Sequence, residues 1–344
     1  MPESVSVIDF FSGCGGTSQG FRDAGMSIVA GVDNDADSAR TFRLNFPEAK
    51  FFEQDVRGLS VDSIRAVMPP TGYVLFAGCA PCQPFSKQNR EQRRDDPKRF
   101  LLLEFLRFIK ALKPHLVVVE NVPGLQKVND GDGPFKEFLE WLVENNYEVA
   151  FNVVKAASYG VPQVRKRLVL VASRVSSAAL PAATHGDGLI PISTVADWIR
   201  DLPAISAGEV DSIDDSHAAM KLSETNLERI RATAEGAGRE SWPEKLQLAC
   251  HVGHSGHSDV YGRLAWNKPA SGLTTRCISY SNGRFGHPEQ DRALSVREAA
   301  LLQTFPSNFR LSGSTQSRAR QVGNAVPPLL AKRIGESVLA GLPQ

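Results

Sequence analysis

The sequence predicts an α/β protein: an open, mostly parallel sheet in a large domain, with a smaller second domain. Three observations carry this. Short apolar runs recur, among them Tyr73-Val74-Leu75-Phe76-Ala77 and Leu116-Val117-Val118-Val119, as expected for strands buried on both faces. Helical stretches alternate with them. The runs end abruptly in glycine, proline or an acidic residue, at the strand ends where ligands bind in such sheets.

In chain order, Val5 to Phe10 reads as the first strand, followed by the turn Phe11-Ser12-Gly13-Cys14-Gly15-Gly16-Thr17 and a helix from Ser18 to Ala24. Strand, glycine-rich turn and helix make a nucleotide-binding geometry, because glycine lets the backbone approach a ligand closely. The spacing F-x-G-x-G-G fits a nucleoside better than a pyrophosphate. Met26 to Val32 is the second strand. It ends in Asp33, placed to accept hydrogen bonds from ribose hydroxyls, while Asp35 suits the cap of a helix from Ala36 to Phe46. Phe51 to Asp55 is a short third strand. Asp55 could bond an adenine amino group or an ammonium, or be an ordinary turn residue.

Gly78 and Pro81 stop the strand from Tyr73 to Ala77, and Cys82 stands just past its end on a stiffened turn, a setting that suits a nucleophile. Cys79, nearer the strand, reads as a small buried hydrophobe. The C-x-x-C spacing also admits a redox or zinc reading. Lys87 to Asp96 is polar, mixed in charge and without apolar period, a candidate lid with arginines for phosphate contact. A helix from Phe100 to Leu112 precedes the strand Leu116 to Asn121. Glu120, at the end of that buried strand, loses hydration, which favours its protonated form, so it can hold a proton; the alternative is a salt-bridged edge glutamate. A helix from Phe135 to Asn146, a strand from Tyr147 to Ala156 and a strand from Leu168 to Ala172 complete the large domain. Between the last two, Gln163, Arg165 and Arg167 alternate and are expected to share one face, where two guanidinium groups suit an anionic or carbonyl-rich ligand.

Composition sets bounds. The net charge of +1 names no partner, so any nucleic-acid contact must come from local basic stretches. Five cysteines, an odd number without framework spacing, point to a reducing compartment. With no basic leader and no run of membrane-spanning length, a soluble cytoplasmic protein is expected.

The stretches D-x-F-x-G-x-G-G, P-C-Q-P-F-S, E-N-V, Q-x-R-x-R and Gln321-Val322-Gly323-Asn324-Ala325-Val326-Pro327-Pro328 stand in the order of the DNA cytosine carbon-5 methyltransferases. Arg297-Glu298-Ala299-Ala300-Leu301-Leu302-Gln303-Thr304-Phe305-Pro306 resembles that family's penultimate motif. The likeness covers roughly residues 5–172 and 261–340, and motifs in this order are specific. It reduces the redox and dinucleotide readings to remote alternatives.

The resemblance implies a Rossmann-like S-adenosylmethionine-dependent methyltransferase fold with a smaller target-recognition domain. The catalytic domain would span 1–175, completed by 318–344, and the small domain 176–317. Cys82 matches the family's nucleophile. Glu120 matches the acid at ring nitrogen 3. Arg165 and Arg167 match the arginines at the 2-oxo oxygen and around the covalent site. For S-adenosyl-L-methionine, Phe11 matches the aromatic residue against adenine, and Gly13 and Gly15 the turn near the methionine part. Asp33 matches the ribose acid, Asp55 the acid at the adenine amino group and Leu101 an adenine contact, while Asn324 and Ala325 match the methionine-end contacts. Asn34 belongs to this set too, although many relatives carry a bulkier residue there.

The implied substrate is cytosine flipped out of double-stranded DNA, with the stretch from Ser86 to Asp96 closing over it. An RNA methyltransferase of the same fold and a non-catalytic DNA-binding relative are the rivals. Residues 176 to about 275 match no known specificity, although Tyr261 to Pro269 and Thr274 to Arg276 resemble the recognition region's end. Candidate DNA contacts are Ser86, Lys87, Gln163, Arg239, His254, His257, Arg263, Arg276, Asn282 and Arg284. Cys250, His251, His254 and His257 look metal-like, but Gly253 and Gly256 interrupt them, and no metal is expected. The implied protein is a monomeric bacterial modification enzyme with a restriction endonuclease acting separately and no membrane partner.

Overall fold

The computed structural model describes residues 4–80, 100–123, 133–248 and 259–343. These divide into two compact units. One comprises the residues up to Lys155, Lys166–Ala183 and those from Val326; the other comprises Ala156–Arg165 and Thr184–Ala325.

The first unit holds a seven-stranded sheet ordered β3-β2-β1-β4-β5-β8-β6. Its strands are β1 (Val5–Phe10), β2 (Ser27–Asp33), β3 (Lys50–Glu53), β4 (Tyr73–Gly78), β5 (Leu116–Asn121), β6 (Glu148–Lys155) and β8 (Lys166–Ser173). β3, β2, β1, β4 and β5 run parallel, and β8 lies antiparallel between β5 and β6. β1 and β5 are buried at every position, the polar Ser6, Asp9, Glu120 and Asn121 included, as expected for strands covered on both faces.

Its helices are α1 (Gly16–Asp23), α2 (Ala36–Asn45), α3 (Val61–Arg65), α4 (Leu101–Leu112), α5 (Pro134–Glu144) and α10 (Pro328–Gly341). α2 starts where expected, because the Asp35 carboxylate accepts from the Ser38 amide at 2.8 Å. α1 starts two residues early: Gly15 caps it at φ 96°, in the left-handed region that glycine adopts without a steric cost. The core centres on Phe10, whose ring lies 5.2, 5.1 and 5.0 Å from those of Phe76, Phe105 and Phe108. α10 lies tightly against α1 at Gly20, where an added Cβ would stand 2.2 Å from the Pro328 carbonyl oxygen.

The second unit has little regular structure. It contains β7 (Gln163–Val164) paired parallel with β9 (Ala270–Ser271), and the helices α6 (Ala196–Ile199), α7 (Glu224–Arg231), α8 (Val296–Leu302) and α9 (Thr315–Asn324). Buried polar side chains do much of the fixing. Arg292, fully buried, grips Glu298 through two 2.7 Å bonds, and Ser295 with Glu298 forms a capping box at the start of α8. Burial lowers the neighbouring His287 to about 4. Trp242, Tyr261 and Tyr280 form an aromatic row with ring separations of 5.3 Å.

The division differs from the expected boundaries in three segments, each for a local reason. Residues 156–165 leave the large domain because the Ala156 amide bonds the Arg165 carbonyl at 2.8 Å, closing a loop whose β7 pairs with β9. Residues 318–325 complete α9, and a helix is not divided at its middle. Residues 176–183 stay with the sheet unit, where the Ser337 hydroxyl bonds the Ala179 carbonyl at 3.3 Å.

Candidate active site

The carboxyl ends of the parallel strands collect the predicted residues of the first unit. β1 runs into Phe11, which is half-buried and held at φ 57°, an uncommon conformation for a residue with a side chain. The next turn is closed by the Ser12 amide on the Val32 carbonyl (3.0 Å) and the Gly15 amide on the Ser12 carbonyl (2.9 Å). Asp33 braces the same turn. One carboxylate oxygen accepts from the Gly13 amide and the other from the Asp35 amide, both at 2.9 Å. Burial pushes its carboxyl above the ordinary range, opposed by those amides. Gly15 can carry no side chain, since a Cβ would stand 2.6 Å from the Phe46 ring, whereas a Cβ on Gly13 would meet nothing within 4 Å. Gly13 therefore borders an open cradle beside the Asp33 carboxylate.

Asn34 is exposed directly after Asp33, and Leu101 is the first residue of α4, packed on the core. Asp55 is engaged locally. The Arg57 side chain bonds it at 2.9 and 2.6 Å and lowers its carboxyl to about 2.

Glu120 lies at the end of β5, 6 % exposed. The Arg167 Nε on β8 meets its Oε1 at 2.9 Å, and the Cys79 thiol donates to its Oε2 at 3.1 Å. The backbone beneath is pinned: the Cys79 amide bonds the Phe10 carbonyl at 3.3 Å, and the Asn121 side-chain amide bonds the Ala80 carbonyl at 3.1 Å. Cys79 is thus a half-buried polar partner of Glu120 rather than the small hydrophobe its place near the strand suggested. Cys82, Ser86, Lys87, His254 and His257 lie outside the described residues, as does the candidate lid.

The alternation of Gln163, Arg165 and Arg167 survives in burial but not in one shared face. β7 ends at Val164 and β8 starts at Lys166, so the three residues separate between the two units. Arg167 reaches Glu120. Arg165 donates to the Leu273 and Ala325 carbonyls at 3.0 and 3.4 Å. Gln163 is fully buried, donating to the Leu302 carbonyl (2.7 Å) and the Gln303 side chain (2.6 Å) and accepting from the Leu273 amide (3.1 Å). It acts as an internal strut, not a DNA contact.

The other predicted DNA contacts sort by exposure. Arg263 is buried and donates to the carbonyls of Ile230, Thr233, His287 and Gln290 and to the Asp291 carboxylate. All five of its N–H groups are committed inside the unit, so it too is structural. Arg284 donates to the Gly236 and Ala237 carbonyls, and Arg239 is half-buried. Arg276 and Asn282 are exposed and face each other at 3.5 Å. Asn324 is exposed at the end of α9, and Ala325 is half-buried after it.

Sequence reasoning passed over Asp9. It is fully buried, with one oxygen accepting from the Ser18 hydroxyl at 2.7 Å, and burial raises it to about 7 against that bond. An acid set among apolar strand residues, with a serine on the following helix, was the signal.

Comparison with known proteins agrees with this geometry. The family model described as C-5 cytosine-specific DNA methylase matches residues 5–340. The Type II methylase M.HgiDII of Herpetosiphon aurantiacus is 39 % identical over 339 residues, covering 97 % of this chain and 94 % of the relative. The Type II methyltransferase M1.HphI of Haemophilus parahaemolyticus is 36 % identical, covering 98 % and 87 %. Among solved structures, a prophage-encoded E. coli protein assigned as a DNA modification methyltransferase shares the fold, with a TM-score of 0.76 at 24 % identity, covering 97 % of this chain and 98 % of that one. The chain belongs to the C-5 cytosine-specific DNA methylase family, and its activity is that of a DNA cytosine-5 methyltransferase.

Proposed function

We propose that the protein methylates carbon 5 of a cytosine flipped out of one specific double-stranded DNA sequence, through a covalent adduct with Cys82. The observation that carries this reading is the Glu120 carboxyl, buried at the end of β5 with Arg167 on one oxygen and Cys79 on the other. Carbon 5 of cytosine is a poor nucleophile. Addition of the Cys82 thiolate to carbon 6 makes it an enamine carbon, provided that a proton or hydrogen bond reaches ring nitrogen 3. Glu120 supplies that proton. Arg167 fixes the carboxyl, and Arg165 serves the 2-oxo oxygen and the covalent site. After methyl transfer a base takes the carbon-5 proton, and the electrons left behind expel Cys82.

The methyl donor is S-adenosyl-L-methionine, which supplies an electrophilic methyl on its sulfonium when bound. The open cradle at Gly13, beside the half-buried Asp33 carboxylate, fits such a group. Asp33 uses both oxygens on backbone amides yet keeps lone pairs for ribose hydroxyls. Phe11 and Leu101 would flank the adenine, and Asn34, Asn324 and Ala325 would complete the contacts. Asp55 would reach the adenine amino group only by sharing its Arg57 partner. Arg276 and Asn282, exposed together, are the favoured DNA contacts, with Arg239 beside them in the set.

The likeness to Type II methylases supports a modification enzyme, and the reading adds a cytoplasmic monomer with a restriction endonuclease acting separately. Among the described residues no helix is long and apolar enough to cross a membrane. Duplex DNA carrying 5-fluorocytosine tests the covalent step, because fluorine cannot leave as a proton and elimination stalls. The parent protein is expected to form a denaturant-stable complex that Cys82→Ser does not form. A stable complex with the serine variant would sink the assignment.

A further inference from the structure

We propose that Cys79 is a positioning residue for Glu120, its thiol setting the orientation of the carboxyl that protonates the target base. The inference rests on the reading of Glu120 given above. Arg167 Nε stands 2.9 Å from Oε1 as an ion-pair contact, and among the described residues Oε1 takes no hydrogen bond. The Cys79 Sγ meets the other oxygen, Oε2, at 3.1 Å and supplies the directional contact of the carboxyl. By donating to one lone pair of Oε2, the thiol fixes the plane of the carboxyl and leaves one direction for the proton.

The backbone makes this placement rigid. The Cys79 amide is tied to the Phe10 carbonyl and the next carbonyl, Ala80, to the Asn121 side chain. On the other flank Gly78 packs against the Phe105 ring, where an added Cβ would stand 2.7 Å away. Behind the pair lies a cavity of about 10 Å³ with a mostly apolar wall that includes Phe21, Val118, Val326 and Ile334. That is the space of roughly one water molecule. Truncating Cys79 would enlarge it and admit water as a poorer, mobile partner, so a partial loss of rate is the expected effect rather than inactivation.

The test compares C79A, C79S, E120Q and C79A/E120Q in the full chain, with kcat and KM measured for DNA and for S-adenosylmethionine. One neutral-strength hydrogen bond predicts that C79A lowers kcat by about fivefold with both KM values unchanged. C79S, whose hydroxyl also donates, recovers most of the rate. In the E120Q background the C79A change costs nothing further, because its effect runs through the carboxyl. The proposal is overturned if C79A keeps the parent kcat, if C79S is no better than C79A, or if the C79A loss persists beside E120Q. E120Q alone examines the underlying reading: a parent-like rate there would remove Glu120 as the acid, whereas a slow E120Q with an unaffected C79A removes only the role of Cys79.

Discussion

In the proposed reaction a single carboxyl at a strand end carries the proton. Glu120 is held by one guanidinium and one thiol, so Glu120→Gln keeps the shape and removes the acid. Transfer is expected to fall about a hundredfold or more, with DNA and cofactor affinity retained, as steady-state kinetics would show. Asp33 works differently, because it must accept amides on both oxygens. Asp33→Asn turns one acceptor into a donor facing the Gly13 or Asp35 amide, and should weaken cofactor binding by about tenfold or more in calorimetry. Asp9 offers a pH test. Its folded value of about 7 lies above the ordinary 3.8, so the native state binds more protons than the unfolded chain between these values. Stability should therefore fall as pH rises from about 4 to about 7, and Asp9→Asn should remove that fall. Denaturant melts of the two proteins across that window would show the difference, or its absence would refute the assignment. Cys79 shows what sequence cannot convey at this scale: nothing in C-x-x-C spacing indicates that the first thiol turns towards a carboxylate on the neighbouring strand.

At the scale of elements, α10 is the most exposed to test. Its first turn lies on α1 with no room for a methyl group at Gly20. Gly20→Ala must push the Pro328 carbonyl away, and should cost about 1–3 kcal/mol in a denaturant melt, against the small gain alanine normally brings to a helix. The parallel strands were legible in sequence because a strand buried on both faces is written as an apolar run, and their ends were legible because glycine, proline and acids stop such runs. Helix starts were less so where geometry intervened, as at Gly15. The second unit was barely legible. Its helices are short and its order depends on buried arginines such as Arg263 and Arg292, which read in sequence like surface cations. Gln163 belongs to the same class: a polar residue in a motif, with its amide spent entirely inside.

For the whole molecule, the fold supplies an edge of parallel strands bearing an open cradle at Gly13 and the Glu120 carboxyl, and a second unit in which Arg276 and Asn282 lie exposed beside the Ser279 and Ser281 hydroxyls. Family membership fixes the class of reaction; in the proposed function the second unit reads the DNA sequence. The most direct test of the central claim is methyl transfer from labelled S-adenosylmethionine to duplex DNA of mixed sequence, with transfer RNA as competitor and bisulfite mapping of the product. The account predicts label at carbon 5 of cytosine within one short recurring DNA sequence. Label confined to RNA, or cofactor and DNA binding without any transfer, would contradict it.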